Sequence, residues 1–443
     1  MQTFDFIPAD TLFCRDGRPL AAGSSFGRGA YWPLPTVLHS ALRTALLRAA
    51  DCLPSGKHVN GTQRKGQLTG KIGTDAFQWL NLRGPFPVDA AGAVYFPVPL
   101  DLAPGSRAAD AAPEYLRLVI NGAGVNNLPE PLTCLVASYA QPSKEELADW
   151  VPAAFYSDYL AGRPLPRPQP LQLWDTEHRI GVALEDRTHT STEGQLYAAE
   201  HLRLRPGVKL RFAVSDRPEH KSRSADERGI TIAELAKAIV LLGGEQRFGK
   251  AMRADVALRL PSAEITGTLV KWVLLTPAIF LHGWRPGWVD EAGRVRLRVV
   301  DKEARRELRR RRRDDVNWQY REEDDPLARN SESAIGATLV AACVGKPQPV
   351  GGWDLLHETE DAQGTRRVTG GGKPTFLAVP SGSVFYFRCD SRDDAVKLAT
   401  ALQGPNGRCR SDFFGEKGMG LGVCGIWEHQ DSTSANVPKT DDV

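Results

Sequence analysis

The alternation of hydrophobic and polar positions follows the same order twice along the chain. Residues 208–214 (VKLRFAV) alternate as a half-buried strand does. After a polar loop, TIAELAKAIVLL at 231–242 places Ile232, Leu235, Ile239 and Leu242 at helical spacing, which predicts a helix. The turn GGEQRFGK then leads into a second alternating stretch, ADVALRL. Residues 383–428 repeat the order. SVFYFRC reads as a strand, SRDDAVKLATAL as a helix that Ser391 can cap, FGEKGMGLG as a glycine turn and GVCGIW as a strand.

A strand–helix–strand unit is the second half of a βαββαβ domain, so the first halves are sought upstream. QTFDFIPADTLFCR at 2–15 is strand-like. Residues 36–47 (TVLHSALRTALL) predict a helix, with Pro35 in the first turn, where its missing N–H is tolerated. TGTLVKWVLLTPAIF at 266–280 opens the second half of the chain as a buried strand. The expected fold class is α+β: two ferredoxin-like (RRM-like, βαββαβ) domains with long loop insertions and a glycine-rich loop near the C-terminus. The expected domains are 1–262, with a hairpin insertion, and 263–430, with a charged insertion at 302–333; a disordered tail is expected at 431–443. Further insertions are a Gly- and Lys-rich loop at 54–75 and a proline-rich connector at 161–170.

Composition narrows the picture modestly. A chain of 443 residues suits two domains of about 200 residues each. Lys+Arg 56 against Asp+Glu 53 leaves a net charge of only +3, so a nucleic-acid face would have to be a local patch. The N-terminus lacks a basic start before an apolar core, so no secretory signal is expected. No apolar run reaches the ~18–20 residues that span a bilayer. Seven scattered cysteines without a Cys-x-x-Cys pair, and nine histidines without a His-Glu-x-x-His spacing, predict neither zinc nor a disulfide framework. Reduced thiols in a cytoplasm are the simple reading, with no cofactor, no metal and no membrane contact.

Several motifs carry candidate chemistry, each beside a plainer reading. GLGVCG (Gly420, Gly422, Gly425) matches a dinucleotide fingerprint formally, but too few residues follow it for the required βαβ unit. Its glycines remain either turn residues or a backbone cradle for phosphate. GGGKP at 370–374 fails as a Walker loop, because proline replaces the Ser/Thr. Arg15 and Arg18 flank a tight turn, and the helix after Pro35 presents Thr36, His39, Ser40 and Arg43 near its N-terminus, where an anion is favoured. An ordinary helix start with a surface arginine fits equally. Residues 179–204 read as a hairpin whose tip carries Arg187, Thr188, His189 and Thr190, suited to phosphate and ribose contact or to a purely structural turn. The Arg309–Arg313 run is followed by acidic residues, and reads as a solvated insertion or a partner contact.

Together these segments resemble the RAMP (repeat-associated) superfamily of CRISPR proteins. The closer likeness is to the third-subunit family of the type III-B Cmr effector complex. The segments that carry it are FIPADTLFCRDGRP, WPLPTVLHSALRTALL, HRIGVALEDRTHTSTEGQLY, LLGGEQRFGK, GWDL at 352–355, VPSGSVFYF and GEKGMGLGVCGIW, in the family's order. The resemblance implies a non-catalytic, RNA-binding scaffold that grips the 5′ handle of the guide RNA. It also implies a hetero-oligomeric complex with a large cyclase/polymerase-like subunit and the first backbone RAMP subunit. The RNA contacts it implies are Arg15 and Arg18; His39, Ser40 and Arg43; Arg179 with Arg187, Thr188, His189 and Thr190; Arg247 and Lys250; and Lys417, Gly418, Gly420 and Gly422. The rival is a metal-independent guide-RNA-processing endoribonuclease of the same superfamily, with His39 as general base and Tyr31 as its partner.

Overall fold

The computed structural model describes residues 1–15, 26–27, 30–53, 76–104, 113–120, 128–137, 147–168, 171–185, 188, 190–216, 227–300, 332–354, 358–360, 366–368, 371–403 and 409–427. The expected loop 54–75, the insertion 302–333 except its last two residues, the expected tail, and Arg18, Arg187 and His189 lie outside the described residues. The chain is a mixed α/β protein, rich in sheet and poor in helix.

From the N-terminus, β1 (Gln2–Pro8) leads to α1 (Pro35–Ala49) and β2 (Leu80–Val88). After α2 (Ala153–Leu160) comes a long hairpin, β3 (Trp174–Leu184) and β4 (Ser191–Leu204). Strands β5 (Lys209–Asp216), β6 (Ile239–Leu241) and β7 (Phe248–Arg253) complete the first half. The second half contributes β8 (Leu269–Leu274), β9 (Ala337–Cys343), β10 (Val384–Cys389), α3 (Arg392–Gln403) and β11 (Gly422–Ile426). Two antiparallel sheets organise these elements, one in the order β6-β7-β1-β5-β2 and one in the order β9-β10-β8-β11.

The side-chain periods explain the packing. Phe4 and Phe6 of β1 and Leu210, Phe212 and Val214 of β5 point to one face, where Leu38, Leu42 and Leu46 of α1 cover them. In α3, Ala395, Leu398 and Leu402 do the same for the second sheet, and the Ser391 hydroxyl accepts the Asp394 N–H at 3.1 Å as the predicted cap.

The helix expected over 231–242 does not form as such. A short 3-10 helix, Ile232–Lys237, ends there, and 239–241 become strand β6. Ile239 and Leu241 are exposed while Val240 and Leu242 are fully buried, a period of two that suits pairing with β7. The aliphatic run satisfies both periods locally, and the neighbouring strand decides between them.

Residues on both sides of the expected boundary at 263 share a core cluster. Phe96, Phe155, Tyr156 and Tyr159, from the first half, pack in one cluster with Val273, Val384, Leu421 and Val423 of the second. A buried charge ties this junction. Lys271, in the middle of β8, lies 3.9 Å from Asp101 and 3.4 Å from the centre of the Tyr159 ring. The Tyr159 and Tyr386 hydroxyls donate to the two Asp101 oxygens at 2.6 and 2.7 Å. Burial pushes the Lys271 ammonium down to about 8, only partly offset by Asp101.

That depression sets a direction for stability against pH. The unfolded chain holds the Lys271 proton up to the ordinary lysine range, so between about 8 and 10.5 it binds more protons than the folded chain, and stability rises with pH. Buried thiols oppose this, but a Lys271→Met variant shares them. From pH 7.5 to 9.5 the native chain should gain about 2 kcal/mol relative to that variant in urea unfolding. Parallel pH profiles would show that Lys271 is not buried in its charged form's disfavour.

Candidate nucleic-acid interface

With Leu38, Leu42 and Leu46 turned to the core, α1 leaves Thr36, Ser40 and Thr44 on another face. These three line one side of a cleft of about 440 Å³. Lys373, Lys417, Phe376 and Phe414 line the other side, with Leu241, Gly243 and the Gly351–Gly352 backbone closing it. Leu241 is there because 239–241 form a strand: as β6 it points outward from the sheet beside α1.

Lys417 is held by the turn that follows it. One 3-10 turn, Gly415–Lys417, is flanked by two left-handed residues, Phe414 at φ 61° and Gly418 at φ 94°. A Cβ on Gly418 would come within 3.0 Å of Pro35 Cβ and 3.2 Å of the Leu82 carbonyl oxygen. The turn therefore sits directly against the start of α1 and against β2, which brings Lys417 to the same cleft as Ser40. Beneath it, Met419 packs with Leu34, Ile279 and Ala378.

The cleft is electropositive. The Lys417 ammonium lies 4.4 Å from the Phe414 ring centre. Its proton affinity is lowered first by partial burial and then by the like charges of Lys373 and Arg43, with Glu416 opposing. Arg43, on α1 one turn after Ser40, donates from Nε to the Ala76 carbonyl at 3.0 Å.

Of the residues singled out from sequence, Thr36, Ser40 and Lys417 meet in this cleft, and Arg43 is close enough to act on Lys417. Others sit elsewhere. His39 is 5% exposed, with Nε2 3.2 Å from the Leu80 carbonyl oxygen, so its ring faces the core and not the cleft. This also removes the base proposed for the nuclease rival from any open surface, while Tyr31 is 82% exposed.

Gly418, Gly420 and Gly422, expected as a phosphate cradle, lie in a packed part of the turn. The amides of Gly418 and Gly420 already donate to Gly415 and Pro277, and all three residues are buried. They are glycines because neighbours leave no room: a Cβ would fall 2.2 Å from Ser411 N at Gly420 and 2.2 Å from Trp272 Nε1 at Gly422.

Arg179 and Arg247 belong to a different cluster. Arg179 contacts Glu177 at 2.7 Å and Asp10 at 3.1 Å, and Arg247 contacts Asp10 at 3.3 Å and Glu245 at 3.2 Å. Arg203 joins them through the same two acids, Glu177 and Asp10. Salt-linked arginines like these fasten the hairpin base to the first glycine turn. Lys250 is exposed on the outer face of β7, Arg15 is exposed ahead of an undescribed segment, and Thr188 donates to Glu185 at 2.8 Å within the hairpin tip.

Sequence reading missed Thr44, Lys373, Phe376 and Phe414. Thr36, Ser40 and Thr44 recur every fourth residue, a signal that was present but unremarkable for a helix surface. Lys373 lies in the GGGKP segment set aside as a failed Walker loop. Among the described residues, no group of three or more His, Cys, Asp or Glu side chains could hold a metal ion, and no helix is long and apolar enough to cross a membrane.

Comparison with known proteins adds a family. The family model described as CRISPR-associated protein (Cas_Cmr3) matches residues 4–427. Comparison with curated proteins gives no significant match. Among solved structures, similar chains occur in a cryo-EM structure of the type III-B Cmr-beta bound to cognate target RNA (TM-score 0.39, 15% identity, covering 90% of this chain and 89% of that one). Another occurs in a crystal structure of the Csm3–Csm4 subcomplex in the type III-A CRISPR-Cas interference complex (TM-score 0.32, 11% identity, covering 88% and 93%).

If the C-terminal glycines serve packing, Gly420→Ala should lower stability by about 1–3 kcal/mol, from strain at φ 72° and the clash with Ser411. Gly267→Ala, where a Cβ meets nothing within 4 Å, should change it by less than about 0.5 kcal/mol. Equal unfolding midpoints for the two variants would contradict the packing role.

Proposed function

We propose, starting from the fact that the chain belongs to the Cas_Cmr3 family of CRISPR-associated proteins, that it is a non-catalytic RNA-binding subunit of a type III-B effector complex. It grips the 5′ handle of the guide RNA in the cleft between α1 and the C-terminal glycine turn. It bridges the large cyclase-like subunit and the first backbone subunit of a cytoplasmic ribonucleoprotein. The observation that carries the RNA role is the placement of Lys373 and Lys417 opposite the hydroxyl-bearing face of α1, with Arg43 adding to the same field. Single-stranded nucleic acid is held by such a combination of cationic groove and aromatic side chains, here Phe376 and Phe414.

The strand orders support two ferredoxin-like units. Taking β1, β2, β5 and β7 as first to fourth strands, the first sheet reads fourth-first-third-second, with β6 added at the edge. β8, β9, β10 and β11 give the same order in the second. Each unit departs from the full pattern: the second helix of the first is reduced to the 3-10 turn Ile232–Lys237, and among the described residues no helix joins β8 to β9.

Co-expression with the other complex subunits should recover this chain together with guide RNA, crosslinked at the guide's 5′ end; crosslinks confined to the guide's 3′ end or to the target strand would overturn the reading. Within such a complex, Lys373→Ala and Lys417→Ala should each weaken RNA binding and flatten the dependence of log K on log salt by about 0.7. Arg179→Ala should leave that slope unchanged, because its guanidinium is already paired with Glu177 and Asp10.

A further inference from the structure

Ser40 and Thr44 lie one turn apart on the α1 wall of the cleft. Each donates its hydroxyl proton to the carbonyl one turn back: Ser40 Oγ to Thr36 O at 2.8 Å, and Thr44 Oγ1 to Ser40 O at 2.9 Å. A hydroxyl has one proton and two lone pairs. With both protons turned into the helix, this wall presents lone pairs to whatever enters the cleft.

That restricts the ligand group the wall can bind. A phosphodiester oxygen carries no proton and gains nothing from a lone pair. For Ser40 or Thr44 to serve it, the hydroxyl would have to turn outward and abandon its bond to the helix carbonyl. The opposite wall supplies the complementary chemistry, since the ammonium groups of Lys373 and Lys417 are donors only. Phosphates therefore belong on the lysine side, and a donor group belongs on the α1 side. A ribose 2′-hydroxyl donates as well as accepts, and every ribonucleotide has one. A base amino group also donates, but only at particular bases, whereas the two acceptors here are alike and regularly spaced.

We infer that Ser40 and Thr44 accept hydrogen bonds from ribose 2′-hydroxyls, so that the α1 wall selects RNA over DNA while the lysine wall holds the phosphates. The inference rests on reading the cleft as the RNA site.

The test uses the full chain in its assembled complex and a synthetic 5′-handle RNA, compared with oligonucleotides carrying single 2′-deoxy or 2′-fluoro substitutions. A 2′-fluoro group cannot donate, so it should behave like 2′-deoxy. With the native chain, substitution at one or two positions should weaken binding about fivefold, the size of one ordinary hydrogen bond. Ser40→Ala or Thr44→Val should weaken binding of the all-RNA handle similarly, and the sensitive substitution should then have no further effect. Equal weakening of RNA and substituted oligonucleotides by these variants would place a phosphate or a base at the hydroxyls and overturn the inference, as would no weakening at all. Lys373→Ala and Lys417→Ala, measured alongside, separate the two levels. If they weaken binding and the hydroxyl variants do not, only the 2′-hydroxyl contact falls. If they too are without effect, the cleft is not the RNA site and both readings fall.

Discussion

The close approach of the C-terminal turn to the start of α1 is the contact on which the cleft depends. Gly418 lets backbone lie against Pro35 and the Leu82 carbonyl, and the Thr276 hydroxyl ties the turn to β8's end by donating to the Gly418 carbonyl at 2.7 Å and accepting the Leu421 N–H at 2.9 Å. A side chain at 418 would push the turn away and take Lys417 with it. The two lysines and the α1 hydroxyls come from residues more than 300 positions apart, and only this contact makes them neighbours. The glycines thus act through packing, and Gly418 helps to fix where Lys417 stands.

Two buried ion pairs hold the frame around that contact, and they differ in kind. Arg211 and Asp5 form a two-pronged pair at 2.7 and 2.9 Å across β5 and β1, within one sheet. Its directed hydrogen bonds compensate the loss of water on both partners. Lys271 and Asp101 stand 3.9 Å apart, and the carboxylate is satisfied mainly by two tyrosine hydroxyls while the ammonium rests on an aromatic ring. That arrangement solvates each charge separately. It also joins Asp101 and Tyr159 of the first half to an inner strand of the second sheet, where residues of both halves share one core cluster.

Local periodicity made much of this legible. The strand at 2–8, the helix after Pro35, the hairpin and the Ser391-capped helix all stand where their residue patterns place them. What escaped was decided by partners far away in sequence. Residues 239–242 fit a helix or a strand until β7 lies beside them. His39 looks like a surface residue of a helix N-terminus until β2 provides Leu80 behind it. Nothing in residues 95–165 signals that their aromatic side chains will cover the second sheet.

The same limit applies to charge, and here it bears on function. The arginines that stand out in the sequence are those around the hairpin and the first glycine turn. In the fold, Arg179, Arg203 and Arg247 are interleaved with Asp10, Glu177 and Glu245, three against three among the described residues, so their fields cancel at short range. Lys373 and Lys417 stand out less, yet Lys417 holds its proton less tightly, first because burial partly excludes water and then because Lys373 and Arg43 are near, with Glu416 opposing. Most of that depression comes from burial, and the like charges of Lys373 and Arg43 add to it. A nearby anion would favour the charged form of Lys417 and so oppose that depression. The three arginines are already held by carboxylates, so a further anion gains less beside them than beside Lys373 and Lys417.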